Sequence, residues 1–130
     1  MTAFDFGNGP VPAHQHSNGG GWVADTATVA KTAYVGPDAK VFDNAWVFHN
    51  AQVYGNAQVF HNAQVYGNAL VFGNARVNDT AQVYGDAWVS GDAEVSGDAW
   101  VFENARVSND AEEDMFIEMN GKRYKLVEIE

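Results

Sequence analysis

Valine recurs at every sixth position from Val23 to Val107, fifteen times without an insertion, and an alanine follows each one four residues later, from Ala27 to Ala111. Written circularly, the unit is A-x-V-x followed by two corner residues. Alternation within the unit puts alanine and valine on one side of a short strand and the residues between them on the other. The corner pairs are Gly55-Asn56, His61-Asn62, Gly67-Asn68, Gly85-Asp86 and Gly97-Asp98. Gly, Asn and Asp tolerate the positive φ that a sharp corner needs.

A period of six does not match the 3.6 of a helix, and the regular valines and glycines oppose one. A meander fails too, because two-residue hairpin turns reverse direction and join longer strands. A strand of about four residues cannot bury its apolar side alone, but it can when stacked in a coil. The pattern therefore predicts an all-β solenoid of parallel strands over residues 22–112, 91 of the 130. Its interior holds only valine and alanine.

The A-x-V-x-G-N/D unit resembles the hexapeptide repeat of left-handed β-helix proteins. In that family three hexapeptides make one triangular coil of eighteen residues, so the resemblance implies five coils, left-handed coiling and trimeric assembly. Five coils at about 4.8 Å each give a rod on the order of 25 Å long. The wording GNAxVYGNAxV looks most like repeat proteins of bacteria and their phages that have no assigned activity.

The two ends break the pattern. Residues 1–21 hold Phe4, Phe6, Val11, His14 and His16, with two prolines and a glycine run. They are expected to form an extended arm that anchors to something, since its apolar residues favour burial. Residues 113–130 carry Asn120-Gly121, a strong hairpin signal, between two strand-like runs. A β-hairpin over 115–130 is expected to cap the last coil.

Composition narrows the function. The net charge of −10 disfavours a nucleic-acid partner. There is no cysteine, hence no disulfide and no thiolate metal site. No apolar run reaches the roughly 18 residues of a membrane helix, and the N-terminus lacks the basic start and apolar middle of a signal peptide. No cofactor is expected. The expected location is a virion, or the cytoplasm of the producing cell. Charge is uneven: residues 1–85 carry five acids and three bases, a net of −2, and residues 86–130 carry twelve and four, a net of −8.

Candidate chemistry is sparse. Acyltransferases with this repeat rely on a histidine and on loops that break the coil, and no loop interrupts residues 23–112. His49 and His61 stand in corner positions twelve residues apart, which places them on different corners. The three-histidine zinc set of γ-carbonic anhydrases is absent. The aspartates of the Gly-Asp corners read as turn residues, because calcium-binding rolls use a nine-residue repeat. His14 and His16 could contribute to a metal site only by gathering around a trimer axis.

The outward residues say more. One face carries Phe48, Tyr66, Tyr84 and Phe102 in an unbroken column, beside Trp46, Gln64, Gln82 and Trp100. The core is already filled, so these aromatics lie outside. Aromatics on this scale mark an interface, and self-association around a threefold axis is the expected use. These eight residues are the expected trimer interface, and Phe4, Phe6, Val11, His14 and His16 the expected partner attachment.

The sequence thus predicts a non-enzymatic structural protein, a rigid trimeric prism attached by its arm. A phage virion accessory, such as a capsid decoration or fibre-like protein, is the setting the wording suggests, with a capsid or other virion protein as partner. The alternative is a binding protein holding a small ligand, carbohydrate or host protein at subunit clefts. An acyltransferase-like enzyme is third.

Overall fold

The structure is a computed structural model that describes residues 2–108, 116–119 and 122–125. The described residues form strands, turns and bends, with no helix. The chain opens with β1 (Ala3–Asp5) and β2 (Pro10–Gln15), an antiparallel pair. The first coil is β3 (Trp22–Ala24), β4 (Thr28–Val29) and β5 (Tyr34–Val35). The second is β6 (Lys40–Val41), β7 (Trp46–Val47) and β8 (Gln52–Val53). The third is β9 (Gln58–Val59), β10 (Gln64–Val65) and β11 (Leu70–Val71). The fourth is β12 (Arg76–Val77), β13 (Gln82–Val83) and β14 (Trp88–Val89). The fifth is β15 (Glu94–Val95), β16 (Trp100–Val101) and β17 (Arg106–Ser108). Two further strands follow, β18 (Phe116–Met119) and β19 (Lys122–Lys125).

Every third strand pairs in parallel, so three sheets enclose one core. The first face runs β1-β2-β3-β6-β9-β12-β15, the second β4-β7-β10-β13-β16, and the third β5-β8-β11-β14-β17-β18-β19. Registers such as Gln64↔Gln82 and Val65↔Val83 make one coil eighteen residues. This is the five-turn, three-sided parallel β-solenoid that the repeat predicts.

Fourteen of the fifteen inward valines are buried, Val29 being the exception. Valine and alanine suffice because three strands converging on one axis leave little space. Branched valine side chains also suit the pleat. Corners carry positive φ on glycines such as Gly67 (70°) and on five other residues, among them His49 (62°) and His61 (57°). A backbone ladder along the corners offsets this strain. Asn68 N–H donates to Gly85 O at 2.8 Å, and Asn62 N–H to Asp79 O at 2.8 Å.

The N-terminal segment is ordered and folds onto its own chain. β2 pairs antiparallel with β3, through Ala13↔Ala24 and His14↔Val23. The extended arm is thus a hairpin, and it lengthens the first face by two strands. The glycine run after it has a packing reason. A Cβ on Gly19 would lie 2.1 Å from the Val35 carbonyl oxygen, and one on Gly21 would lie 2.3 Å from Gly36 O. Only a bare backbone can lie this close to β5. At the other end, β18 and β19 pair antiparallel with each other and β18 with β17, as expected of the C-terminal hairpin. The Asn120-Gly121 turn lies outside the described residues, as do Glu112, Glu113, Asp114, Glu128 and Glu130.

Candidate functional site

The second face holds the expected aromatic column, and its rings stack. Phe48 and Tyr66 lie 5.0 Å apart at 3°, Tyr66 and Tyr84 5.0 Å at 4°, and Tyr84 and Phe102 5.6 Å at 15°. Coil spacing sets these separations, so the backbone repeat holds the rings in register. The Tyr66 hydroxyl donates to Gln82 Oε1 at 3.0 Å, which uses one of the adjacent glutamines to fix the ring. Burial among the rings, and then Tyr84 beside it, raise the Tyr66 phenol above its ordinary pKa. Trp46 and Trp100 flank the column, 49% and 59% exposed. Gln64 is half-buried in the same row. Neither hairpin joins this sheet.

The five N-terminal candidates are dispersed. Phe4 stacks on Trp22 at 4.8 Å and 20°. Phe6 stacks on Phe42 at 4.8 Å and 13°, and Phe42 on Phe60 at 4.9 Å and 3°. Both phenylalanines thus face the chain's own first coils. They would reach a partner only if the hairpin lifted away. Val11 is exposed. His14 Nδ1 lies 2.7 Å from Asp25 Oδ1, whereas His16 is buried with Nε2 2.8 Å from the Ala33 carbonyl oxygen. The two imidazoles have separate partners and do not converge within one chain. Among the described residues no group of three His, Asp or Glu side chains is placed to hold a metal ion.

His49 and His61 occupy different corners. His49 packs edge-on against Phe48, at 5.0 Å between ring centres. His61 sits in a column with Asp43 and Asp79, the corner residues one coil before and one coil after. Its Nδ1 is 3.1 Å from Asp79 Oδ1, and its N–H donates to Asp43 Oδ2 at 3.2 Å. The Gly97 N–H donates to Asp79 Oδ2 at 2.9 Å. That backbone bond first, and His61 second, lower the Asp79 pKa. This corner floors a groove of about 740 Å³, walled by Phe6, Val11 and Pro12 of the hairpin. Asp25, Asp43, His61, Asp79, Asn62 and Thr80 line it.

The sequence reading missed this groove, because its wall arrives from the N-terminal hairpin. It missed the His61–Asp79 contact for a simpler reason. Only His49 and His61, twelve residues apart, were compared, and the spacing of eighteen that aligns residues 43, 61 and 79 was not used. The same spacing joins Asn56 Nδ2 to Asn74 Oδ1 at 3.2 Å and Asn74 Nδ2 to Asp92 Oδ1 at 3.1 Å, a side-chain ladder on the third corner. On the third face, the Arg106 guanidinium lies 4.3 Å from the centre of the Trp88 ring.

The model of a family described as the YdcK β-solenoid repeat matches residues 51–64, 63–79 and 81–97. The chain is thus a β-solenoid repeat protein. The matched residues run from β8 in the second coil to β15 in the fifth and include neither hairpin. No curated protein and no solved structure matches the chain.

Proposed function

We propose that this is a non-enzymatic structural protein, a rigid prism of the left-handed hexapeptide type that self-associates as a homotrimer through its second face. One observation carries the reading: four stacked rings form an unbroken column, flanked by two exposed tryptophans, on the one face that neither hairpin extends. Aromatic side chains bury large area at low entropic cost, and they dominate the centres of interfaces. Rigid stacking also fixes the rings before association, which reduces what assembly must order. The partner face is a second copy of the same column, because a threefold axis beside it brings three together.

The N-terminal end is the attached end in this reading, and the acidic C-terminal end faces solvent. Net negative charge there keeps particles apart. A phage virion is the setting that the wording of the repeat suggests.

Light scattering should give a particle of three times the 14.1 kDa chain. Changing Tyr66 and Tyr84 together to Lys places like charges at the axis and should reduce the mass to one chain. An unchanged mass would move the interface to another face. Mass spectrometry of purified phage particles tests the setting, and absence of the protein from them would remove it.

The groove at the first corner favours a second reading, a binding protein for a small polar ligand. Its volume falls within the roughly 300–1,000 Å³ of ligand sites. A screen of neutral sugars that follows the His61 and Asn62 resonances would separate the two readings.

A further inference from the structure

Three strands rim the N-terminal mouth of the prism, and their free edges are finished differently. In this parallel ladder, the N–H groups on either side of each inward valine point to the following coil. Thr28 N–H donates to Ala45 O at 2.9 Å and Ala30 N–H to Val47 O at 2.8 Å. The N–H of the valine itself, and the carbonyls of the valine and of the alanine two residues before it, face the preceding coil. At the mouth there is no preceding coil, so each rim strand needs a substitute.

Two of the three have one. β3 receives β2. β5 receives residues 16–21: Val35 N–H donates to Asn18 O at 3.0 Å, and Gly21 N–H donates to Val35 O at 3.0 Å. Ala33 O accepts from Asn18 Nδ2 at 3.1 Å and lies 2.8 Å from His16 Nε2. β4 ends its sheet, and its only strand partner is β7. No described residue bonds to Val29 N–H, Val29 O or Ala27 O. Consistently, Val29 is the one inward valine that is only half-buried.

We infer that the β4 edge is a strand-addition site, where an extended segment of a partner protein pairs with this chain and closes the third side of the mouth. An unpaired edge of this kind is a template for another chain. Ala27 O, Val29 N–H and Val29 O present the alternation of acceptor, donor and acceptor that an extended segment satisfies. The β5 cap defines the occupant further, since it uses glycine where any Cβ would collide with Val35 or Gly36. The residue that lies over Val29 is by analogy small. This inference deepens the attachment half of the proposed function and rests on it for the partner's identity as a protein. It does not depend on the trimer.

The test uses the full chain, labelled with ¹⁵N, and the synthetic peptide acetyl-TVAVT-amide at concentrations on the order of millimolar. In the free protein the Val29 amide should exchange with solvent at least about tenfold faster than those of Val47 and Val65, whose N–H groups lie inside the ladder. The peptide should shift Thr28, Val29 and Ala30 and slow exchange at Val29. The Val29→Pro variant deletes a donor that no described residue uses, at an edge position where proline is tolerated. It should fold and lose the response. Slow exchange at Val29 in the free protein, shifts confined to other faces, or an undiminished response of Val29→Pro would each overturn the inference. Loss of co-sedimentation with particles while the peptide response persists would instead overturn the attachment reading.

Discussion

His61 Nδ1 lies 3.1 Å from Asp79 Oδ1 across one coil of the first corner, while the other oxygen of that carboxylate accepts the Gly97 N–H at 2.9 Å. One residue thus ties three successive coils together on the outside of the prism, where the valine core cannot reach.

A pH dependence follows from this tie. Both contacts favour the ionised carboxylate and lower its pKa in the folded state, the Gly97 bond more than His61. The stability that Asp79 contributes is therefore present above its unfolded value of about 3.9, and it is lost as pH falls through the lowered folded value. Asp79→Asn should be less stable than the parent at pH 7, and the two should converge in acid. Urea midpoints measured from pH 7 to pH 2 check this, and a constant difference across that range would refute it.

The core should be intolerant of charge in proportion to depth. Val65 is fully buried in the third coil, whereas Val29 is half-buried at the mouth. Val65→Asp should cost about 3–5 kcal/mol, because the carboxylate has neither water nor a partner. Val29→Asp should cost clearly less. Thermal melts of the pair give the comparison, and equal losses would contradict the gradient.

Gly21→Ala should damage the mouth rather than the coils. The new methyl would meet Gly36 O at 2.3 Å and Val35 Cγ1 at 2.4 Å. Overpacking of this kind costs about 1–3 kcal/mol. The expected signature is local: the Val35 amide, which donates to Asn18 O, loses protection while Val71 keeps it. A uniform loss over both amides would argue against a separable cap.

Phe6→Ala should release the N-terminal hairpin. The ring stacks on Phe42, which stacks on Phe60, so truncation removes the top of a three-ring column. The loss should be about 2–3 kcal/mol for a half-buried ring. Trp22, in contact with Phe4 of the same hairpin, reports the change by its fluorescence. An unaltered emission spectrum would mean that the hairpin is held by its strand pairing alone.

The coils were legible in the sequence because one requirement, a small branched side chain turned inward, repeats every six residues. The column Phe48, Tyr66, Tyr84, Phe102 was legible for the same reason, since its period of eighteen is a multiple of six. The contacts at the mouth were not. Phe6 meets Phe42 across 36 residues, and Pro10 and Pro12 break the alternation that would mark β2 as a strand. Nor does any periodic signal reveal that Asn18 and Gly21 imitate a missing coil. The C-terminal hairpin was readable from Asn120-Gly121, since that turn is encoded locally.

Coil closure also makes the chain a dial. The N-terminal hairpin sits on the first face and the C-terminal hairpin on the third, and the number of hexapeptides between them sets that angle. Adding or removing eighteen residues would lengthen or shorten the rod and leave its two ends in phase. Removing six would turn one end by a third of a revolution and seat the C-terminal hairpin over the aromatic column. A change by whole turns thus alters the reach of the rod and not the angle between its ends, while a change of one unit alters the angle.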